Sequence, residues 1–111
     1  MENISAQSVQ QKRENKEDIV ILDVRTPGEH AEIYIPDTLH IPLDELPQRF
    51  EELPLNKEIY IYCASGNRSQ SAGAFLEQKS GVRVFNIEGG IMAWHAVGLP
   101  LKYAQGDEGL F

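Results

Sequence analysis

Ile59-Tyr60-Ile61-Tyr62-Cys63-Ala64-Ser65-Gly66-Asn67-Arg68-Ser69 runs from a β-favouring apolar stretch into the only cysteine of the 111-residue chain. Six small or polar residues follow the cysteine, and then a helical pattern begins. Strand, tight loop and helix N-terminus in that order make a place where backbone N–H groups converge on an anion. Here the protein itself would supply the anion, as the sulfur of Cys63. No carboxylate lies between Glu58 and Glu77, although the chain carries 17 acidic against 10 basic residues, net −7. A cysteine that must hold negative charge is helped by such a gap. A thiol near pKa ~8.5 is lowered to roughly 3.5–7.5 by helix N-termini and nearby cations. Gly66 frees the backbone to turn N–H groups inward. Ser65, Asn67 and Ser69 add short polar side chains, and Arg68 supplies the cation. The same cradle favours a persulfide, Cys63–S–S⁻, whose outer sulfur is also anionic, and so permits a transfer divided into two covalent steps. The competing reading is a free cysteine packed as a small hydrophobe at a strand end.

Outward from this stretch, strands alternate with helices. Ser5 to Glu14 is a predicted surface helix with Ser5 as N-cap and Ala6 and Val9 as its apolar anchors. Ile19-Val20-Ile21-Leu22 is a β-branched run of the kind buried on both faces of a parallel sheet, ending at Asp23-Val24-Arg25. Thr26-Pro27-Gly28-Glu29 forms a capping box with proline at the first helical position. Ile33 to Pro36 is an extended loop. Leu39-His40-Ile41 is a short strand stopped by Pro42, and Leu43 to Leu53 is one or two helical turns interrupted near Pro47. After the cysteine loop, Asn67 to Lys79 is a helix closed at Ser80-Gly81. Val82 to Asn86 is the last strand. Glu88-Gly89-Gly90 turns into a helix from Ile91 to Val97, ended by Gly98 and Pro100. The expectation is a single α/β three-layer domain over residues 1–101, a mainly parallel sheet flanked by helices. An acidic tail, Lys102 to Phe111, is expected to be loosely held. In such domains the site lies at the carboxyl ends of the strands, where Asp23, Arg25, Cys63 and the Gly89-Gly90 turn all fall.

Composition narrows the function classes. The acidic balance argues against nucleic acid or an anionic membrane as partner. No run approaches the length of a membrane span, and Met1 to Asp18 contains no apolar signal region, so a cytoplasmic setting is expected. One cysteine excludes an internal disulfide framework. His30, His40 and His95 are far apart in sequence and show no ligand spacing, so neither a metal nor another cofactor is expected, and no general base is assigned among them.

Three segments together resemble the rhodanese (thiosulfate:cyanide sulfurtransferase) family. Cys63-Ala64-Ser65-Gly66-Asn67-Arg68-Ser69 resembles its active-site loop, six residues from Cys63 to Arg68. Leu22-Asp23-Val24-Arg25 with Glu29 looks like its DVR…E element. Asn86-Ile87-Glu88-Gly89-Gly90-Ile91-Met92-Ala93-Trp94, followed by Gly98-Leu99-Pro100, is similar to its C-terminal signature. The resemblance implies a rhodanese fold with Cys63 as the persulfide-carrying nucleophile and the backbone from Ala64 to Ser69 supporting the bound sulfur. Asp23 and Arg25 carry over as mainly structural residues near the site, and Trp94 as a packing residue. The chain departs from the family at Glu32-Ile33-Tyr34-Ile35-Pro36-Asp37, where members commonly show Gly-His-Ile-Pro-Gly.

The expected activity is transfer of sulfane sulfur from thiosulfate or a persulfide donor to a thiol or cyanide acceptor, with a protein donor or acceptor as a further partner. Arg68 alone is thin recognition for the thiosulfate dianion, which keeps a persulfide-bearing protein in play. Two readings compete. A cysteine phosphatase or arsenate reductase would also use a Cys…Arg loop, but those enzymes resemble Cys-x5-Arg, and only four residues separate Cys63 from Arg68 here. A non-enzymatic sulfur carrier or regulatory module is the other; such modules usually lack the cysteine that this chain keeps.

Overall fold

The computed structural model describes residues 1–103. Five strands form one sheet: β1 (Glu2–Ile4), β2 (Ile19–Asp23), β3 (Leu39–His40), β4 (Glu58–Tyr62) and β5 (Val84–Ile87). Their order is β1-β5-β4-β2-β3, with every pairing parallel. β2 and β4 run in register from Ile19 opposite Glu58 to Asp23 opposite Tyr62, so their carboxyl ends finish together.

The helices are α1 (Ala6–Glu14), α2 (Pro27–Glu32), α3 (Leu46–Arg49), α4 (Asn67–Ser80) and α5 (Gly90–Ala96). Because side chains alternate along a strand, the continuous apolar runs of β2 and β4 feed two cores at once. Leu22, Val24, Ile59, Ile61 and Cys63 face one layer with Leu46 of α3 and Ala72 and Leu76 of α4. Ile21, Tyr60 and Tyr62 face the other with Ala6 and Val9 of α1 and Ile91 and Trp94 of α5. The α/β three-layer expectation holds. Among the described residues no helix is long and apolar enough to cross a membrane.

Local signals account for most element ends. Ser5 caps α1, its hydroxyl accepting from Ser8 N–H. Thr26 and Glu29 form the expected capping box at α2, each side chain accepting from the other's backbone N–H. The differences are physical. β1 is not visible in a polar N-terminal stretch, because its only apolar side chain is Ile4; its stability comes from pairing with β5, Glu2 opposite Phe85 through Ile4 opposite Ile87. β5 starts at Val84 rather than Val82, because Gly81 holds a left-handed C-cap that the chain must leave before extending. Pro47 does not interrupt a helix. It sits at the start of α3, where its missing N–H costs nothing, and single 3-10 turns at Leu43–Glu45 and Phe50–Glu52 flank that helix. Lys102, assigned to the tail, pairs with Tyr34 through two backbone hydrogen bonds of 2.8 Å. The rest of the expected loose tail, from residue 104 on, lies outside the described residues.

Candidate active site

Cys63 leaves the end of β4 with its side chain in the interior, 1% exposed. The chain then turns through Gly66, whose φ of 108° is left-handed and which caps α4 without a side chain. This turn aims backbone N–H groups back at the sulfur. Gly66 N–H donates to Cys63 Sγ at 3.0 Å, and Ser69 Oγ lies 3.6 Å from Sγ. Burial pushes the thiol up, but the Ser69 hydroxyl and the N–H groups of Ser69, Gly66 and Ser65 outweigh it, so the thiol sits below its ordinary value.

A second helix braces the loop from outside. Ile91 N–H donates to Cys63 C=O at 2.9 Å and Met92 N–H to Ala64 C=O at 3.2 Å. Those bonds need close approach at Gly90, where an added Cβ would lie 2.4 Å from the Cys63 carbonyl oxygen and 2.6 Å from that of Ala64. With its carbonyls held by α5, the loop keeps its N–H groups on the side of the sulfur. Ser69 is held in turn by a chain of buried polar groups. Its hydroxyl meets Asn86 Oδ1, and Asn86 Nδ2 donates to Asn3 Oδ1 at 3.0 Å. Neither asparagine stands out in the sequence as a site residue. Asn86 betrays itself only as an amide inside an apolar strand; Asn3 has no signal at all.

Arg68 departs from expectation. The guanidinium faces Glu29 of α2, Nη1 to Oε1 at 2.7 Å and Nη2 to Oε2 at 2.8 Å. Arg68 thereby holds the Glu29 carboxyl down at about 2. Hydrogen bonds from backbone and hydroxyl groups, rather than a free cation, favour the thiolate. The carboxylate-free window from Glu58 to Glu77 is a gap in sequence and not in space, since α2 brings Glu29 across it. Ala64 is half-buried, while Ser65 and Asn67 are exposed around the loop mouth.

Asp23 and Arg25 form a neighbouring, fully buried cluster. Asp23 Oδ1 accepts from Arg25 N–H at 2.9 Å and Nε at 3.0 Å; Oδ2 accepts from Arg25 Nη2 at 2.8 Å and Tyr62 O–H at 3.1 Å, and meets His30 Nδ1 at 2.9 Å. Burial pushes this carboxyl up, and the bonds from Arg25 and His30 overcome that and leave it below its usual range. Arg25 Nη2 also donates to Ile33 C=O at 2.6 Å, and His40 Nε2 meets Arg25 C=O at 2.8 Å.

Folding thus gathers Asp23, His30 and His40, with ligand atoms within 4.8 Å of one another, which their separation in sequence conceals. The group does not offer a convergent metal site. Asp23 is filled by its three partners, His30 Nδ1 and His40 Nε2 are engaged by Asp23 and the Arg25 carbonyl, and the two imidazoles are stacked, centroids 4.2 Å apart and planes 3° apart. His95 stands apart on α5. Trp94 is fully buried and donates Nε1–H to Pro100 C=O at 2.7 Å, a packing role.

The departure at Glu32 to Asp37 resolves simply. Asp37 takes the left-handed conformation, φ 58°, that a glycine adopts without strain. Arg13 Nη2 steadies this turn through the carbonyls of Pro36 and Asp37.

The family description "Rhodanese-like domain" fits residues 5–97. Over 103 residues the chain is 42% identical to a protein named sulfurtransferase from Allochromatium vinosum, covering 93% of this chain and 96% of that one. Over 105 residues it is 32% identical to thiosulfate sulfurtransferase GlpE of Ectopseudomonas mendocina, covering 95% and 94%. The solved rhodanese-like domain protein of Staphylococcus aureus superposes with a TM-score of 0.82 at 36% identity, covering 92% of this chain and 99% of that chain. A parallel sheet of this order, a cysteine loop braced by a double-glycine turn, and these relatives lead to one assignment: the chain belongs to the rhodanese-like domain family.

Proposed function

We propose that this protein is a sulfurtransferase that carries sulfane sulfur on Cys63. The observation that supports this most is the sulfur cradle: Sγ accepts from Gly66 N–H at 3.0 Å, and the combined hydrogen bonds of the loop lower its thiol. In the first step Cys63 thiolate attacks the outer sulfur of the donor. The donor S–S bond breaks, its electron pair leaves with sulfite (from thiosulfate) or a thiolate (from a persulfide), and Cys63–S–S⁻ forms. In the second step an acceptor thiolate or cyanide attacks the outer sulfur, and Cys63 leaves as thiolate. Both steps put negative charge on sulfur within the loop, and the fixed N–H groups from Ser65 to Ser69 are suited to stabilise it without reorganising. Asp23 and Arg25 serve as scaffold, since both Asp23 oxygens and the Arg25 Nε and Nη2 groups bond within the protein. A phosphatase reading is less well supported, because Arg68 would have to bind an oxyanion while paired with Glu29.

Intact mass after incubation with sulfane donors tests the reading. The expected result is a gain of one sulfur, removed by cyanide and absent in Cys63→Ser. Full thiocyanate formation by Cys63→Ser would overturn it.

A further inference from the structure

Beside the cysteine loop lies an open cleft of about 600 Å³. Its walls are Val24, Pro27, Pro42 and Leu43, and Val24 belongs to the same apolar cluster as Cys63. The loop's own Arg68 forms one side, and Asp44 and Glu45 also line it, Glu45 paired with Arg49 at 2.7 Å and Asp44 exposed. A cleft of this size is far larger than thiosulfate or cyanide requires and falls within the range that holds larger ligands. Its charge also runs against anions. Arg68 is neutralised by a two-point bond to Glu29, Asp44 is exposed and makes no ion pair among the described residues, and the chain as a whole carries net −7. An anionic donor must either displace Glu29 or pass the acidic rim unaided.

We infer that this cleft receives a cysteine-bearing segment of a partner protein, apolar beside its thiol and basic on its flanks, as the sulfur donor or acceptor for Cys63. The inference rests on the persulfide reading above and names its partner class. Apolar residues next to the partner thiol would cover Val24, Pro27 and Leu43, and a flanking lysine or arginine would face the exposed Asp44. Complementary rim charge acts on encounter more than on final affinity, so its signature is a rate that falls with salt. In the transfer, the partner thiolate attacks the outer sulfur of Cys63–S–S⁻, the partner S–S bond forms, the Cys63 S–S bond breaks, and Cys63 leaves as thiolate. The reverse reaction serves a partner that donates.

The test is discharge of the full-length protein, loaded with inorganic polysulfide and followed by intact mass in a single turnover. Three peptides serve as acceptors at equal thiolate concentration: one with leucines beside the cysteine and flanking lysines, one with glutamates replacing the lysines, and one with alanines replacing the leucines. The basic leucine peptide is expected to discharge Cys63 about tenfold faster than the acidic one, and the gap should shrink in high salt. The alanine peptide should be several-fold slower than its leucine counterpart. Asp44→Lys should remove most of the charge preference, whereas Glu14→Lys, the same charge change on α1 across the sheet, should keep it. Glu29→Gln, which retains a capping side chain, should speed the acidic peptide by restoring a free guanidinium. Equal rates for all three peptides, or the same preference in Asp44→Lys and Glu14→Lys, would overturn the inference while leaving the persulfide reading intact. Failure of polysulfide to load Cys63 at all would remove both.

Discussion

Asp23 closes β2 and Cys63 follows β4, and the two strands end in register, so a carboxylate and a cysteine sulfur lie at adjoining positions on one rim. The carboxylate is surrounded: Arg25, Tyr62 and His30 occupy both oxygens. The sulfur accepts from the Gly66 N–H and lies 3.6 Å from the Ser69 hydroxyl, while Arg68 of the same loop is paired with Glu29. A buried anion with every lone pair taken up is stable and inert. One held by fixed backbone dipoles, with no cation locked onto it, remains free to attack and to leave. On the function proposed above, the two sites separate scaffold from chemistry by how the negative charge is balanced, and each can be probed for the property the other lacks.

The largest effect is expected from Asp23→Asn. Removing one partner of a fully buried pair leaves Arg25 charged and uncompensated, which costs about 3–5 kcal/mol. In urea the midpoint should fall by about 2 M. The sign with pH follows from the lowered carboxyl of Asp23. Its stabilisation is complete above the unfolded carboxylate value of about 4 and is lost as pH falls through the lower folded value. Wild type and variant should therefore converge in acid. If Asp23→Asn instead kept its stability and lost only sulfur transfer, the carboxylate would belong to the chemistry, and the distinction between the two sites would fail.

Gly90→Ala probes the other side. The new Cβ would meet the carbonyl oxygens of Cys63 and Ala64 inside contact distance, at a φ of 59° that disfavours alanine as well. Relief requires α5 to move off the loop, at a cost of about 2–3 kcal/mol. The informative readout is the pH profile of Cys63 alkylation. Since the folded thiol is lowered by its hydrogen bonds, disturbing them should move the alkylation midpoint to higher pH. A variant that loses stability with an unchanged alkylation profile would mean that α5 braces the fold and not the nucleophile.

The sequence shows the sulfur site more plainly than its supports. The strand–cysteine–glycine–helix order around Cys63 and the capping box at Thr26 are local patterns, set by residues within a few positions of one another, and both appear in the structure where the sequence puts them. The partners that tune them come from afar. Glu29 reaches Arg68 across 39 positions, and Asn3 reaches Asn86 across 83. Nothing in either neighbourhood signals those contacts, because they follow from strand order and not from local pattern. β1 is hidden for the same reason: an edge strand held by ladder bonds needs little apolar character of its own. His30 and His40 are ten positions apart in the chain and 4.2 Å apart as rings, since α2 returns His30 to Asp23, whose register partner on β3 is His40.

The mildest perturbation concerns the turn that serves the buried carboxylate. Residues Ile33 to Asp37 supply Arg25 with the Ile33 carbonyl, and Ile35 N–H donates to Tyr62 O–H at 3.2 Å. Asp37 holds that turn in a left-handed conformation with its side chain 95% exposed and only a 4.0 Å approach to Arg13. Asp37→Gly relieves the strain of φ 58° but adds freedom to the unfolded chain, and the two effects oppose one another at about 0.5–1 kcal/mol each. The net change should lie within about 0.5 kcal/mol. Asp37→Val keeps the unfolded chain stiff and adds a β-branched clash, so it should cost about 1–2 kcal/mol. Urea unfolding of the pair separates the backbone requirement from any role of the carboxylate. Equal destabilisation by glycine and valine would show that the Asp37 side chain itself supports the turn. Alkylation of Cys63 should be untouched in both variants, because the turn bears on the saturated anion and not on the sulfur.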